Sequence, residues 1–393
     1  MLPLFMVTRD LIQTLRKSLK QFPAVVLLGP RQIGKSTLAL QLAGQLAKKS
    51  IVLDLEKRSD RAKVDDPEAF FKSHQDKLVI IDEAQTLPEL FSSLRPAIDE
   101  HRKPGRFLLL GSASPQLVRH VSESLAGRVT YLELTSITLS EAGRSRHDLQ
   151  TLWLRGGFPL ALTARSDTNS LEWRQQLIRS FVERDLTLLF GVELSRVTIQ
   201  NFWQMISHNQ GGIWNAQTYA NSLGVTGPTI KRYLQFMGGA FLVRLLEPWF
   251  VNTNKRLVKS PKVYVRDSGL LHAMLGLSTY TDLLGHPVAG GSWEGFVIEQ
   301  ITAVMPPSLR AFYYRTHHGA EADLVLVNGL KPVTAIEIKL NNAPVISKGF
   351  YQTLHDLGIR KGYVITPAAD RYPVQNVEVM SLPVFIEHIL PKL

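Results

Sequence analysis

The chain has no cysteine. Neither disulfides nor thiolate metal sites can contribute, so any metal ion must be held by oxygen or imidazole, which favours magnesium or manganese. Apolar runs are short and none approaches the roughly 20 residues needed to span a bilayer. The start, Met1-Leu2-Pro3-Leu4-Phe5-Met6, is too short for the apolar stretch of a secretory signal. A cytoplasmic protein that makes no use of a membrane is therefore expected. Long polar tracts are missing too, and a composition 45% hydrophobic and 20% charged is that of a globular chain. At 393 residues it exceeds the size at which single cores stop growing, so two or three domains are expected. Lys and Arg number 45 against 34 Asp and Glu, a net charge of +11. A field of that sign attracts polyanions such as nucleic acid or nucleotides, although a basic surface also serves solubility.

The apolar run Ala24 to Leu28 leads into Gly29-Pro30-Arg31-Gln32-Ile33-Gly34-Lys35-Ser36-Thr37, and Leu38, Leu40, Leu42 and Leu46 follow at helical spacing. This is strand, glycine loop, helix, and it fits G-x-x-x-x-G-K-S/T. Residues 29–37 would cradle the phosphates of ATP with backbone N–H groups, Lys35 would reach the β and γ oxygens, and Ser36 would ligate Mg²⁺. A second run, Leu78-Val79-Ile80-Ile81, ends in Asp82-Glu83, as a buried parallel strand delivering two carboxylates to the sheet edge would. Asp82 is assigned to the metal and Glu83 to the attacking water, because phosphoryl transfer needs charge neutralisation and an oriented nucleophile. A third run, Arg106 to Gly111, places Ser112 at another strand end, where it could sense the γ-phosphate or the water.

These motifs, with the Ile80-Ile81-Asp82-Glu83-Ala84-Gln85 box and Ser124-Leu125-Ala126-Gly127-Arg128, resemble the prokaryotic AAA-type ATPases that carry a C-terminal DUF4143 region. The resemblance extends over nearly the whole chain. It implies adenine selectivity, which the loop itself does not encode. It also implies that Arg128 acts as an arginine finger on a neighbouring subunit, hence a homo-oligomer, and that Arg184-Asp185 braces a helical lid.

Glycine and proline at Gly156-Gly157-Phe158-Pro159 mark a turn, and the spacing from Leu171 to Leu189 becomes helical. Three short helical patterns follow, at residues 202–206, 216–223 and 226–237, the last two joined by Gly224-Val225 as in a helix-turn-helix. Thr226 would cap the recognition helix, Lys231 and Arg232 would face a phosphate backbone, and Phe241 to Leu246 would be the wing strand. The basic run Asn254 to Lys262 points the same way. Protein contact or a plain spacer is the other use of such a module. The segment Val263 to Leu270 matches the DUF4143 pattern and is taken as structural.

The last third alternates strands and helices. In Glu337-Ile338-Lys339 a strand turns the carboxylate and the ammonium to one face. With Asp323 from the neighbouring strand this resembles the PD-(D/E)XK nuclease core, in which Asp323 and Glu337 bind Mg²⁺, with Mn²⁺ as a substitute, and Lys339 activates water or stabilises the phosphate. Glu294 borders the helix stripe of Trp293, Val297, Ile301 and Val304 and is a further metal ligand, and Glu321 shares the strand face of Asp323. A salt bridge in a domain that kept the fold and lost cleavage is the competing reading.

The sequence thus predicts an α/β protein: an AAA-type P-loop domain with a parallel sheet (1–140), a helical lid (141–195), a winged-helix-like region (196–275) and a restriction-endonuclease-like α/β domain (276–393). The expected function is ATP hydrolysis coupled to metal-dependent cutting of DNA. The alternatives are a non-cleaving nucleic-acid-binding switch and an ATP-dependent protein-interaction module.

Overall fold

The computed structural model describes residues 7–112, 125–145, 147–185, 195–250, 257–367 and 371–393. The chain divides into two compact units, the first formed by residues 1–137, 183–194 and 239–241, the second by 138–182, 195–238 and 242–393.

The first unit is built on strands β1 (Ala24–Gly29), β2 (Ser50–Asp54), β3 (Leu78–Asp82), β4 (Phe107–Ser112) and β5 (Val129–Glu133). They lie in the order β2-β3-β4-β1-β5, and each neighbouring pair is parallel. Every residue of β1 and β4 is buried, which is why these strands are continuous apolar runs without alternation: a parallel sheet covered on both faces has no wet side. Helices α1 (Leu11–Gln21), α2 (Lys35–Gln45) and α3 (Leu90–Glu100) belong to the same unit. Leu28, Phe71, Ile81, Phe91, Leu94 and Phe107 are among its core, each worth about 1.5–3 kcal/mol of transfer free energy when fully buried. The connections after β1 and β4 run to opposite sides of β1, which makes its carboxyl end a topological switch point, where ligands bind in open α/β sheets. Because β4 lies between β1 and β3 and pairs Gly29 with Ser112, Ser112 sits between the loop after β1 and the acidic end of β3.

In the second unit the helix α4 (Leu149–Arg155) precedes a run of helix, strand, two helices and two strands: α5 (Arg196–His208), β6 (Gly212–Ile213), α6 (Ala216–Leu223), α7 (Gly227–Gly239), β7 (Val243–Leu246) and β8 (Lys262–Val265). The strands form a small sheet in the order β6-β8-β7. Asn215 caps α6 by accepting from the N–H groups of Gln217 and Thr218, and Gly224 ends it in the left-handed region at φ 64°, so the turn into α7 is tight. Helix α8 (Ser268–Met274) is capped by Asp267, which accepts from Leu270 N–H at 3.0 Å and from Gly157 N–H at 2.8 Å. Next come α9 (Ala289–Val304), β9 (Leu309–Arg315), β10 (Glu321–Asn328), β11 (Lys331–Ile338), α10 (Lys348–Asp356), β12 (Gly362–Thr366), β13 (Tyr372–Val374) and β14 (Val377–Ser381). The six strands are ordered β13-β14-β12-β11-β10-β9, with β11, β12 and β14 parallel and β9 to β11 antiparallel.

Two buried polar knots fix this unit. His272 on α8 lies 2.9 Å from Leu154 O and 2.7 Å from the Ser292 hydroxyl, which also accepts from the Trp153 indole. Burial lowers His272 to about 3, so it stays neutral and ties α4, α8 and α9 together. Glu299 on α9 accepts from Arg244 and Arg266; burial alone would raise its carboxyl, but the two guanidiniums hold it below its usual value. Residues 247–249 and 257–258 pair with the outer edge of β9, where Trp249 N–H donates to Tyr313 O at 2.7 Å, Tyr313 N–H to Glu247 O at 3.0 Å and Val258 N–H to Arg315 O at 3.1 Å. An open strand edge is thereby covered.

Candidate functional site

At the carboxyl edge of the first sheet the chain leaves β1 and enters α2 at Lys35. Gly34 sits at φ 100°, a left-handed backbone that only glycine adopts without strain. Lys35 is buried, and its ammonium donates to Gly29 O and Pro30 O, both at 2.9 Å. Burial lowers its pKa to about 8, with Glu83 and Asp82 opposing the shift. The Ser36 hydroxyl is hydrogen-bonded to the Asp82 carboxylate, whose pKa burial raises. A hydroxyl and a carboxylate in contact beside a helix N-terminus are the donors a phosphate-bound Mg²⁺ uses, and the buried Lys35 ammonium donates to neutral carbonyls that phosphate oxygens can replace. The residues therefore fit a magnesium nucleotide.

Glu83 occupies the left-handed region at φ 51°, which a side-chain-bearing residue holds only when its surroundings compel it. Ser112 Oγ donates to Glu83 Oε2 at 3.0 Å and Gln85 Nε2 donates to the same oxygen. Sequence placed Ser112 near the γ-phosphate or water; the structure brings it onto Glu83. Arg31 pairs with Glu56 at 2.5 Å. Arg128 makes a two-pronged pair with Asp99 on α3 at 2.7 and 2.8 Å and donates to Ala126 O at 2.9 Å. Ser124, the side chains of Arg184 and Asp185, and the 254–256 part of the basic run lie outside the described residues.

The second unit brings its expected residues to one face. Antiparallel pairing of Leu324 with Ile336 sets Asp323 opposite Glu337, and Asp323 Oδ2 accepts from Ile338 N–H at 2.8 Å. Lys339 pairs with Glu337 Oε1 at 2.9 Å. Into this face projects Lys262 from β8. Its ammonium is 3.0 Å from Glu294 Oε1, 3.2 Å from Glu321 Oε1 and 3.5 Å from Asp323 Oδ1. The Tyr264 hydroxyl donates to Glu294 Oε1 at 2.6 Å. Burial opposes the charge on Lys262, but Glu294, Asp323 and Glu321 together raise its pKa above that of an ordinary lysine.

The metal expected at Glu294, Asp323 and Glu337 does not fit this geometry, because an ammonium already sits among the oxygens a divalent ion would need at about 2.0–2.1 Å for magnesium. Among the described residues no group of three or more His, Asp or Glu side chains is arranged to hold a metal ion. Sequence reasoning grouped Lys262 with a surface basic run and so missed it. The signal was the alternation that starts there, since Lys262 and Tyr264 share one face of a strand whose residues are all buried.

On α7, Lys231 and Arg232 are exposed, and Thr226 Oγ1 accepts from Thr229 N–H at 3.3 Å. Among the described residues no helix is long and apolar enough to cross a membrane.

Comparison with known proteins divides the chain in three. Residues 21–143 match an AAA domain, residues 146–281 a domain of unknown function, DUF8612, and residues 289–385 another, DUF4143. Uncharacterized proteins of Mycobacterium tuberculosis (Rv2008c) and Mycobacterium bovis (Mb2031c) are each 42% identical over 375 residues, 95% of this chain and 83% of theirs. Among solved structures, the Walker-type ATPase PABY2304 of Pyrococcus abyssi is similar at 16% identity with a TM-score of 0.49, covering 69% of this chain and 96% of that one. With the P-loop geometry in an AAA domain at one end and DUF4143 at the other, the chain belongs to the family of AAA-type ATPases that carry a C-terminal DUF4143 domain.

Proposed function

We propose that this ATPase is a cytoplasmic switch that binds DNA and does not cut it, organised as an ATPase domain (1–140), lid (141–195), winged helix (196–275) and nuclease-like domain (276–393). The observation that carries the reading of the motor is the contact of Ser112 and Gln85 with one oxygen of Glu83, beside the Ser36–Asp82 pair. Lys35 exchanges its two carbonyl partners for phosphate oxygens. Ser36 and Asp82 would hold magnesium, which would supply charge neutralisation at the γ-phosphate. Glu83 orients the attacking water, and Ser112 and Gln85 fix the carboxylate that does so. Arg128 reaches a neighbouring subunit after leaving Asp99; the pair is solvent-exposed and holds weakly.

DNA binding is inferred from the order helix, strand, two helices, two strands between Arg196 and Val265, with Lys231 and Arg232 exposed on the second helix of the turn. The Lys262 ammonium among Glu294, Glu321 and Asp323 favours the non-cutting reading over a Mg²⁺- or Mn²⁺-dependent nuclease. The test uses end-labelled single- and double-stranded DNA with Mg²⁺ or Mn²⁺ and ATP, comparing wild type, Lys35→Ala and Lys339→Ala. Salt-sensitive retention of DNA without cutting, and phosphate release lost in Lys35→Ala, are expected. Cutting that disappears in Lys339→Ala would establish the nuclease instead, and absence of DNA retention would leave a protein-interaction module.

A further inference from the structure

Four carboxylates of the second unit gather around two ammonium groups. Glu294, Glu321, Asp323 and Glu337 come from α9, β10 and β11, and all four serve one small region through Lys262 and Lys339. Lys262 belongs to another sheet. It enters from β8, and it is only 4% exposed. Its ammonium also lies 5.6 Å from the centre of the Tyr313 ring, within the range of a cation–π contact. Three carboxylates, an aromatic face and a strand that fixes its backbone make it a seated cation. Glu337 Oε2 is buried and has no hydrogen-bond partner, so the face retains an unused acceptor beside the seat.

We infer that Lys262 is a tethered cation that takes the place of a divalent metal, and that removing it opens a metal site made by Glu294, Asp323 and Glu337. A divalent ion and the Lys262 ammonium cannot both use Glu294 and Asp323. An ammonium 3.0 Å from Glu294 uses the lone pairs a metal would need, and like charges in a buried site repel strongly. Without the Lys262 ammonium, Glu294 and Asp323 would lose their nearest counter-charge while Lys339 stays on Glu337, a destabilised state that a hard divalent ion relieves.

This inference rests on the non-cutting reading of the domain, and the test keeps the two apart. Mn²⁺ binding is followed by the loss of the free-ion electron paramagnetic resonance signal, without nucleotide, on full-length protein. Wild type and Lys262→Arg should bind no Mn²⁺ at this pocket. Lys262→Ala should gain one Mn²⁺ per chain, lost again in Lys262→Ala/Glu294→Gln, and its melting temperature should rise with Mn²⁺ while that of wild type does not. If Lys262→Ala does not fold, Lys262→Ala/Glu321→Gln relieves part of the repulsion and is refolded with Mn²⁺. Failure of both to bind or to be stabilised by Mn²⁺ overturns the inference. Mn²⁺ bound by wild type and lost in Glu294→Gln, without DNA cutting, overturns the role of Lys262 and leaves the non-cutting reading intact. Cutting by wild type that Glu294→Gln abolishes overturns both.

Discussion

Lys35 in the first unit and Lys262 in the second are buried alike, 5% and 4% exposed, and each stands near acids at the end of a strand. Their partners differ. Lys35 donates to two neutral carbonyls, so burial dominates and its pKa falls to about 8. Lys262 faces three carboxylates, and its pKa rises. An ammonium that donates to neutral carbonyls can exchange them for phosphate oxygens; one surrounded by acids is already neutralised. The same residue type is thus fitted to bind a ligand in one unit and to replace one in the other, and the identity of the neighbours decides which.

Substitutions at the two lysines separate these roles. Lys35→Ala should abolish steady-state phosphate release, by on the order of 10²-fold or more since a donor to the transferring group is removed, whereas Lys262→Arg should leave it unchanged. Glu83→Gln should lower turnover by about 10²–10⁴-fold with ATP still bound, as read by a fluorescent nucleotide; equal loss of binding would contradict its role at the water. Lys262→Ala should cost about 3–5 kcal/mol in urea unfolding, the effect of breaking a buried ion pair from one side, unless Mn²⁺ is present.

The pH dependence of nucleotide binding sharpens the contrast further. Unfolded, Lys35 titrates near 10.5; folded, near 8. Below pH 8 the cost of burying its charge is felt in full, and it is relieved as pH rises from 8 to 10.5, where the unfolded chain alone retains the proton. Phosphate needs the charged form, so affinity for ATP should fall above pH 8 by up to about tenfold per unit, with proton uptake visible by calorimetry in two buffers. A flat profile would mean that Lys35 remains charged in the free protein. The smallest effect is expected on α7, where Lys231→Ala should reduce the slope of log affinity for DNA against log salt by about 1 and leave phosphate release unchanged.

The first unit was legible because its chemistry is contiguous. Loop residues 29–37 and the pair Asp82-Glu83 each follow a buried run, so period and motif agree on strand, loop and helix. The sequence offered the γ-phosphate or the water as the target of Ser112; its contact with Glu83 depends on β4 lying between β1 and β3. In the second unit the helices α6 and α7 and the strands around Asp323 and Glu337 follow from spacing. Strands β13 and β14 do not, because Tyr372–Val374 is too short to show a period. Nor does the burial of Glu299 between Arg244 and Arg266, partners more than thirty residues distant in sequence.

By itself the sequence determined the nucleotide loop, the acids at the strand ends and the alternation that puts Glu337 and Lys339 on one face, since all of these are set by short-range period and residue type. Only the tertiary structure decided what those acids hold. Lys262 lies 32 residues before Glu294 and 61 before Asp323, and its charge acts over a few ångströms of space. Local pattern carries no record of that distance; the ion pairs that β8 makes with α9 and β10 exist only in the folded chain.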